Sequence, residues 1–249
     1  MRTPLIAANW KMHMNTGETR EFLQAFLPQV EGVTDVEIVI APPFTSIAEA
    51  ARLMKDSNVR LAGQNLYWEE KGAFTGEISP LMLTDLGCTY VIIGHSERRQ
   101  YFGETDETVN KRIRAALAAG LKPILCIGET LEEREAGETF NVLRRQVRDG
   151  LNGIEAGGLV IAYEPVWAIG TGKTATPEMA QEAHAFIREE LGALYGEKAG
   201  SVRILYGGSV KPENVASLMA ERDVDGGLVG GASLKPDSFA RIVKFREQN

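Results

Sequence analysis

The sequence predicts an α/β chain folded into one closed barrel of eight parallel strands, each followed by a helix on the outside. Three observations carry this expectation. Short β-rich runs alternate with longer segments of helical spacing along the whole chain. The runs are apolar at successive positions, as in "YVIIG" and "LVIAY", which suits strands covered on both faces. No Pro/Gly/Ser-rich linker or charge block divides the 249 residues, and eight strand-helix units in that length match the size of a (β/α)8 barrel. A doubly wound open sheet shares the first two features and stays open as the alternative architecture.

In chain order, the strands are expected at 5–9 ("LIAAN"), 37–41 ("EIVIA"), 59–64 ("VRLAGQ") and 90–94 ("YVIIG"). The second four are expected at 122–127 ("KPILCI"), 159–163 ("LVIAY"), 202–206 ("VRILY") and 226–229 ("GGLV"). The helical segments between them carry proper starts. Pro177 opens "PEMAQEAHAFIREEL" after Thr176, and Pro212 opens "PENVASLMAER"; a proline in the first turn has no amide hydrogen to waste.

Composition narrows the partners and the compartment. The formal charge is -7, from 34 acidic against 27 basic side chains, with both signs mixed along the helices rather than gathered into a basic stripe, which argues against nucleic acid. Cys88 and Cys126 lack the spacing of a metal knuckle or a disulfide framework, so a reducing cytoplasm is expected. "PLIAANW" is too short for a secretory core and is followed by Lys11, and no later apolar run approaches the length of a membrane span.

One stretch suggests a nucleotide. "AYEPVWAIGTGKTAT" contains the tail of a phosphate-binding loop, but the full pattern needs a glycine where Trp167 stands. The dinucleotide version, Gly170-x-Gly172-x-x-Ala175, should lie directly between a strand and the helix that it opens, whereas here Thr176-Pro177 follows.

In such barrels the chemistry sits at the carboxyl ends of the strands, and polar residues gather there. Asn9 and Lys11 follow the first run, Gln64 and Asn65 the third, and His95 and Glu97 the fourth; Glu129, Glu164 and Ser209 follow later ones. Gly207-Gly208-Ser209 and Gly230-Gly231-Ala232-Ser233 would lie side by side in a closed barrel, and their backbone N–H groups could converge on an anion. Taken singly, His95 could be a satisfied core residue, Glu164 a solvated loop acid, Lys11 a surface charge and the glycines plain turn formers. Together they place a lysine, an amide, a histidine and a carboxylate over one pocket beside a phosphate cradle.

These residues resemble the triosephosphate isomerase family, through "AANWKMH", "GAFTGE", "IIGHSERR", "AYEPVWAIGTG", "LYGGSV" and "GGLVGGASL", in order along the whole chain. Gly227 departs from the pattern, where the family often carries a bulkier residue, which bears on packing under the eighth turn. The resemblance implies a single TIM-barrel domain over 1–249 that interconverts dihydroxyacetone phosphate and D-glyceraldehyde 3-phosphate, in glycolysis and gluconeogenesis, with no metal and no organic cofactor. Glu164 would be the base, with His95, Lys11 and Asn9 facing the oxygens of an enediolate and Glu97 ordering Lys11. The helix that begins at Ser96 would depress the pKa of His95 and keep it a neutral donor, as tuned-pKa examples including this family illustrate. Residues 165–175 would form a lid, with Pro165 and Trp167 in its first hinge. Gly170 and Thr171 would bind the phosphate with Ser209, Gly230 and Gly231, and Ile169 and Leu228 would dry the carboxylate. Residues 65–77 would be a dimerisation loop, with Phe74 and Thr75 reaching Lys11 and Met14 of a second copy. Two rivals stay open: a Schiff-base aldolase on a similar barrel, and a nucleotide-binding protein without catalysis.

Overall fold

A computed structural model describes residues 2–169 and 175–248. Eight parallel strands follow one another around a closed barrel: β1 (Leu5–Asn9), β2 (Glu37–Ala41), β3 (Val59–Gly63), β4 (Cys88–Ile93), β5 (Lys122–Ile127), β6 (Val160–Tyr163), β7 (Arg203–Tyr206) and β8 (Gly226–Val229). Closure comes from β8, which pairs with β1 from Leu5↔Gly226 to Ala8↔Val229. The open-sheet alternative is therefore set aside.

The helices form the outer layer, and their ends follow local chemistry. They are α1 (Thr16–Val30), α2 (Ile47–Met54), α3 (Pro80–Asp85), α4 (Ser96–Phe102) and α5 (Asp106–Ala118), then α6 (Leu131–Glu135), α7 (Thr139–Gly150), α8 (Pro177–Tyr195), α9 (Val215–Met219) and α10 (Pro236–Val243). Helix α1 opens with a capping box, Asn15 accepting from Glu18 N–H while the Glu18 carboxylate accepts from Asn15 N–H. Helix α8 opens as expected, with Pro177 in the first turn and the Thr176 hydroxyl accepting from Met179 N–H. Among the described residues no helix is long and apolar enough to cross a membrane.

Because side chains alternate across a strand, each strand feeds two cores. Leu5, Ala7, Tyr90, Ile92, Ile124, Cys126, Val160 and Ala162 fill the barrel interior. Ile6, Ala8, Val91, Ile93, Leu125, Ile127 and Ile161 face the helices. Each fully buried Leu, Ile or Val adds on the order of 1.5–3 kcal/mol relative to exposure. This two-sided burial explains why the runs read as continuously apolar. The same alternation carried one step further aims Asn9 after Leu5 and Ala7, and Glu164 after Val160 and Ala162, toward the upper mouth.

Element boundaries differ from the sequence expectation at four strands and one helix. Strand β4 begins at Cys88, two residues early, because Thr89 is exposed and interrupts the apolar run; the β3–β4 register shifts between Leu61 and Ala62 at that point. Strand β3 ends one residue early, and β6 and β7 begin one residue late. The helix expected from Pro212 begins only at Val215. Asn214 accepts from Lys211 N–H at 2.8 Å and donates to Ser209 C=O at 2.9 Å, holding the preceding residues in a turn.

Candidate active site

Glu164 follows directly on β6, is 2 % exposed and ends an inward-facing column. Its carboxylate accepts from Ser96 N–H at 3.0 Å and meets His95 Nε2 at 2.9 Å. Space for the side chain comes from Gly207, where an added Cβ would stand 2.8 Å from Glu164 Cγ. Burial alone would raise the carboxyl's pKa, but His95, the Ser96 N–H and Lys11 outweigh it and hold the group below the ordinary carboxylate range.

His95 caps the helix that follows it. Its Nδ1 accepts from Glu97 N–H at 3.2 Å, so Nδ1 carries no proton in the neutral ring and Nε2–H points into the cavity. The expected depression of its pKa needs correction. Burial works to lower it, but the Glu164 carboxylate in direct contact, with Glu97 beyond, raises it above the ordinary value. The helix terminus is local in sequence, whereas the carboxylate resting on the ring arrives from the end of β6. The hydrogen-bond pattern nevertheless assigns the tautomer of a neutral Nε2 donor.

Lys11 reaches the same cavity from the loop after β1. Its backbone is left-handed, with φ of 52°, a conformation that costs a non-glycine residue of order 1 kcal/mol or more. Two side chains hold it there: Asn9 Oδ1 accepts from Lys11 N–H at 3.0 Å, and Gln64 Nε2 donates to Lys11 C=O at 2.9 Å. Its ammonium pairs with Glu97 at 2.5 Å, and its Cε passes 3.6 Å from where a Cβ on Gly230 would be. Asn9, Lys11, His95 and Glu164 thus line one cavity of about 380 Å³, together with Ser209, Gly230, Gly231, Ile169 and Leu228. A short 3-10 helix spans Gly231–Leu234 beside them.

The described part of the expected lid begins at Pro165 and includes a short 3-10 helix, Val166–Ala168. Trp167 donates from Nε1 to Glu129 at 2.9 Å, Tyr163 donates to the same buried carboxylate at 3.1 Å, and the Arg134 guanidinium lies 4.6 Å over the indole. Gly170 and Thr171 lie outside the described residues. Met14, Phe74 and Thr75 lie away from this cavity's lining; Phe74 is 40 % exposed at the tip of a loop where Tyr67 packs against both Trp68 and Phe74. Cys126 is buried on β5 with its thiol pKa pushed well up by desolvation, which makes it a poor nucleophile.

Several residues of the site escaped sequence reasoning. Arg99 ties the ends of β4 and β5 together, donating to Gly94 C=O at 2.8 Å and to Cys126 C=O at 3.3 Å. Arg134 and the Ser96 N–H likewise had no local signal that distinguished them. Among the described residues no group of three or more His, Cys, Asp or Glu side chains could hold a metal ion.

A closed eight-stranded barrel with a buried carboxylate, an oriented imidazole and a lysine at the carboxyl ends of its strands defines an acid–base enzyme of the (β/α)8 class. The family model described as triosephosphate isomerase matches residues 4–246, and the chain belongs to that family. Similar proteins include the triosephosphate isomerases of Geobacter metallireducens, 61% identical over 99% of this chain and 100% of the relative, and of Moorella thermoacetica, 60% identical over 98% and 99%. Among solved structures, the triosephosphate isomerase of Bartonella henselae superposes with a TM-score of 0.91 at 39% identity, covering 98% of this chain and 99% of that one.

Proposed function

We propose that this cavity interconverts dihydroxyacetone phosphate and D-glyceraldehyde 3-phosphate, a step of glycolysis and gluconeogenesis, with Glu164 as the base. The observation that carries the assignment is a nearly fully buried carboxylate at the mouth of the barrel, within hydrogen-bond reach of a histidine whose donor nitrogen is oriented. Glu164 leaves Ser96 and His95, takes a proton from the hydroxyl-bearing carbon beside the carbonyl and returns it to the carbonyl carbon, while the hydroxyl proton passes to the former carbonyl oxygen. His95 Nε2–H, Lys11 and Asn9 stabilise the charge that develops on the enediolate oxygens. Once the carboxylate has moved to the substrate, the contact that raises the His95 pKa is gone and a neutral imidazole donor results. A positioned base contributes about 10²- to 10⁴-fold, and one oxyanion donor about 2.7–4 kcal/mol.

The phosphate belongs at Ser209, Gly230 and Gly231, where unhindered backbone faces the Lys11 stem, with Gly170 and Thr171 joining from the lid. Ile169 and Leu228 exclude water from the carboxylate. The test is deuterium uptake from heavy water into dihydroxyacetone phosphate. Label is expected on the hydroxymethyl carbon with the parent enzyme and strongly reduced uptake with Glu164→Gln; equal uptake by both would overturn the base assignment.

The same reading makes the protein a cytoplasmic homodimer. Support comes from Met12, 94 % exposed, and from Phe74, Tyr101 and Phe102, apolar surface that a lone chain leaves in water. A dimer is expected by sedimentation at micromolar concentration, and a fully active monomer would refute it.

A further inference from the structure

Gln146 has no part in the chemistry above, yet it is 5 % exposed on the face of α7 turned toward the barrel. A buried amide must find partners, and both of its partners are main-chain groups of one residue. Gly128 N–H donates to Gln146 Oε1 at 2.7 Å, and Gln146 Nε2 donates back to Gly128 C=O at 3.3 Å. A helix side chain thus supplies the hydrogen bonds that a neighbouring strand would supply if β5 continued.

Gly128 in turn touches the base. A Cβ added there would stand 1.8 Å from the Glu164 carbonyl oxygen and 2.6 Å from its carbon, so the two backbones are in direct contact. On either side, Glu164 N–H donates to Ile127 C=O at 2.7 Å and Val166 N–H donates to Glu129 C=O at 3.0 Å. Residues 127–129 therefore grip residues 164–166, and Gln146 holds the middle of the grip from the helix side. Gln146 and Glu164 also line one further cavity, of about 770 Å³, on the far side of the base.

We propose that Gln146 is a positioning residue for the isomerisation, holding Gly128 so that the Glu164 backbone, and with it the carboxylate, is set against the substrate carbon. The proposal rests on the reading of Glu164 as base. Displacing a reacting group by about 1 Å can cost on the order of 10²-fold, whereas the phosphate contacts at β7 and β8 do not pass through Gly128. The effect therefore belongs in kcat, with substrate affinity spared.

The experiment compares Q146L, which keeps the volume and removes both hydrogen bonds, with E164Q and with the double variant. For Q146L, kcat is expected to fall by about 10- to 100-fold, with KM and the inhibition constant of inorganic phosphate held within about twofold. In the E164Q background, Q146L should produce little further loss, since two changes acting through one group are not additive. A kcat within about twofold of the parent overturns the proposal, even if thermal stability falls, and so does a full additional loss in the double variant. Should Q146L fail to fold, Q146E carries the test: it keeps the bond from Gly128 N–H but sets a carboxylate oxygen against Gly128 C=O, so kcat should fall severalfold at constant KM, and an unchanged kcat overturns. If E164Q itself isomerises at the parental rate, the base assignment fails; if E164Q is impaired and Q146L is not, only the role of Gln146 fails.

Discussion

The two mouths of the barrel carry similar residue types, paired at both ends but in different arrangements. At the amino ends of the strands, Arg203 pairs with Glu37 at 2.5 Å and donates to Tyr90 Oη at 2.9 Å, so the lower charges answer one another. Asp225 is likewise shared between Arg2 and Arg188, each at 2.6 Å, and accepts from Ile204 N–H at 2.9 Å. At the carboxyl ends, Lys11 sits on a strained backbone, and Glu164 and His95 hold each other in contacts that the proposed reaction would break. Ionisable groups in a barrel are thus spent on stability at one end and kept exchangeable at the other. The same side chains mean different things according to which end they occupy.

Substitutions that act at only one mouth test this division. Glu164→Gln should lower kcat by about 10²- to 10⁴-fold while the melting temperature changes little, since the amide keeps the side chain's shape and can still accept from Ser96 N–H. Lys11→Met should cost about 2.7–4 kcal/mol of transition-state stabilisation, read from kcat/KM, with little loss of folding stability. Parental melting paired with collapsed activity in both variants supports the division, and a large loss of stability in either breaks it.

At the lower mouth the expected signs reverse. Arg203→Met should lower stability by about 2 kcal/mol, between the values for exposed and fully buried pairs, a melting shift of roughly 4–8 °C, with kcat of the folded enzyme unchanged. Acid titration sharpens the assignment. Burial would raise the Glu37 pKa, but Arg203 and Tyr90 hold it below the ordinary value. A folded-state pKa below the unfolded one adds stability that is present at neutral pH and lost as pH falls through the carboxylate range. The Arg203→Met deficit in melting should therefore shrink as pH drops below about 4, and a deficit independent of pH would count against the ion pair as its source.

The smallest effect concerns Gly227, on the outer face of β8. A Cβ there would meet Val210, Val229 and Ile6 at 3.7–3.8 Å, ordinary contact distances, and the residue has no left-handed φ. Gly227→Ala should stabilise by about 0.5–1 kcal/mol in denaturant unfolding and leave activity alone. The concern for packing under the eighth turn thus resolves into unused space.

What was legible in the sequence follows from where the information resides. Strand β1, β2, β5 and β8 boundaries matched because both faces of each strand are apolar and the run itself marks the ends. Glu164 was legible because Pro165 marks the exit from a buried strand. Gln146 and Arg99 were not, since Gln146 reaches Gly128, 18 positions away, and Arg99 reaches Cys126, 27 positions away, and nothing near either in sequence marks that reach. The His95 pKa failed for the same reason: its helix is local, but the carboxylate resting on it comes from 69 positions later.

The inward columns Leu5-Ala7-Asn9 and Val160-Ala162-Glu164 have a consequence for how such a scaffold changes over generations. Two lower tiers lock into neighbouring columns, while the topmost tier is held by loop residues, Asn9 by Lys11 N–H and Glu164 by Ser96 N–H and His95. New chemistry can then be tried by exchanging the tips, one per column, without disturbing the masonry beneath.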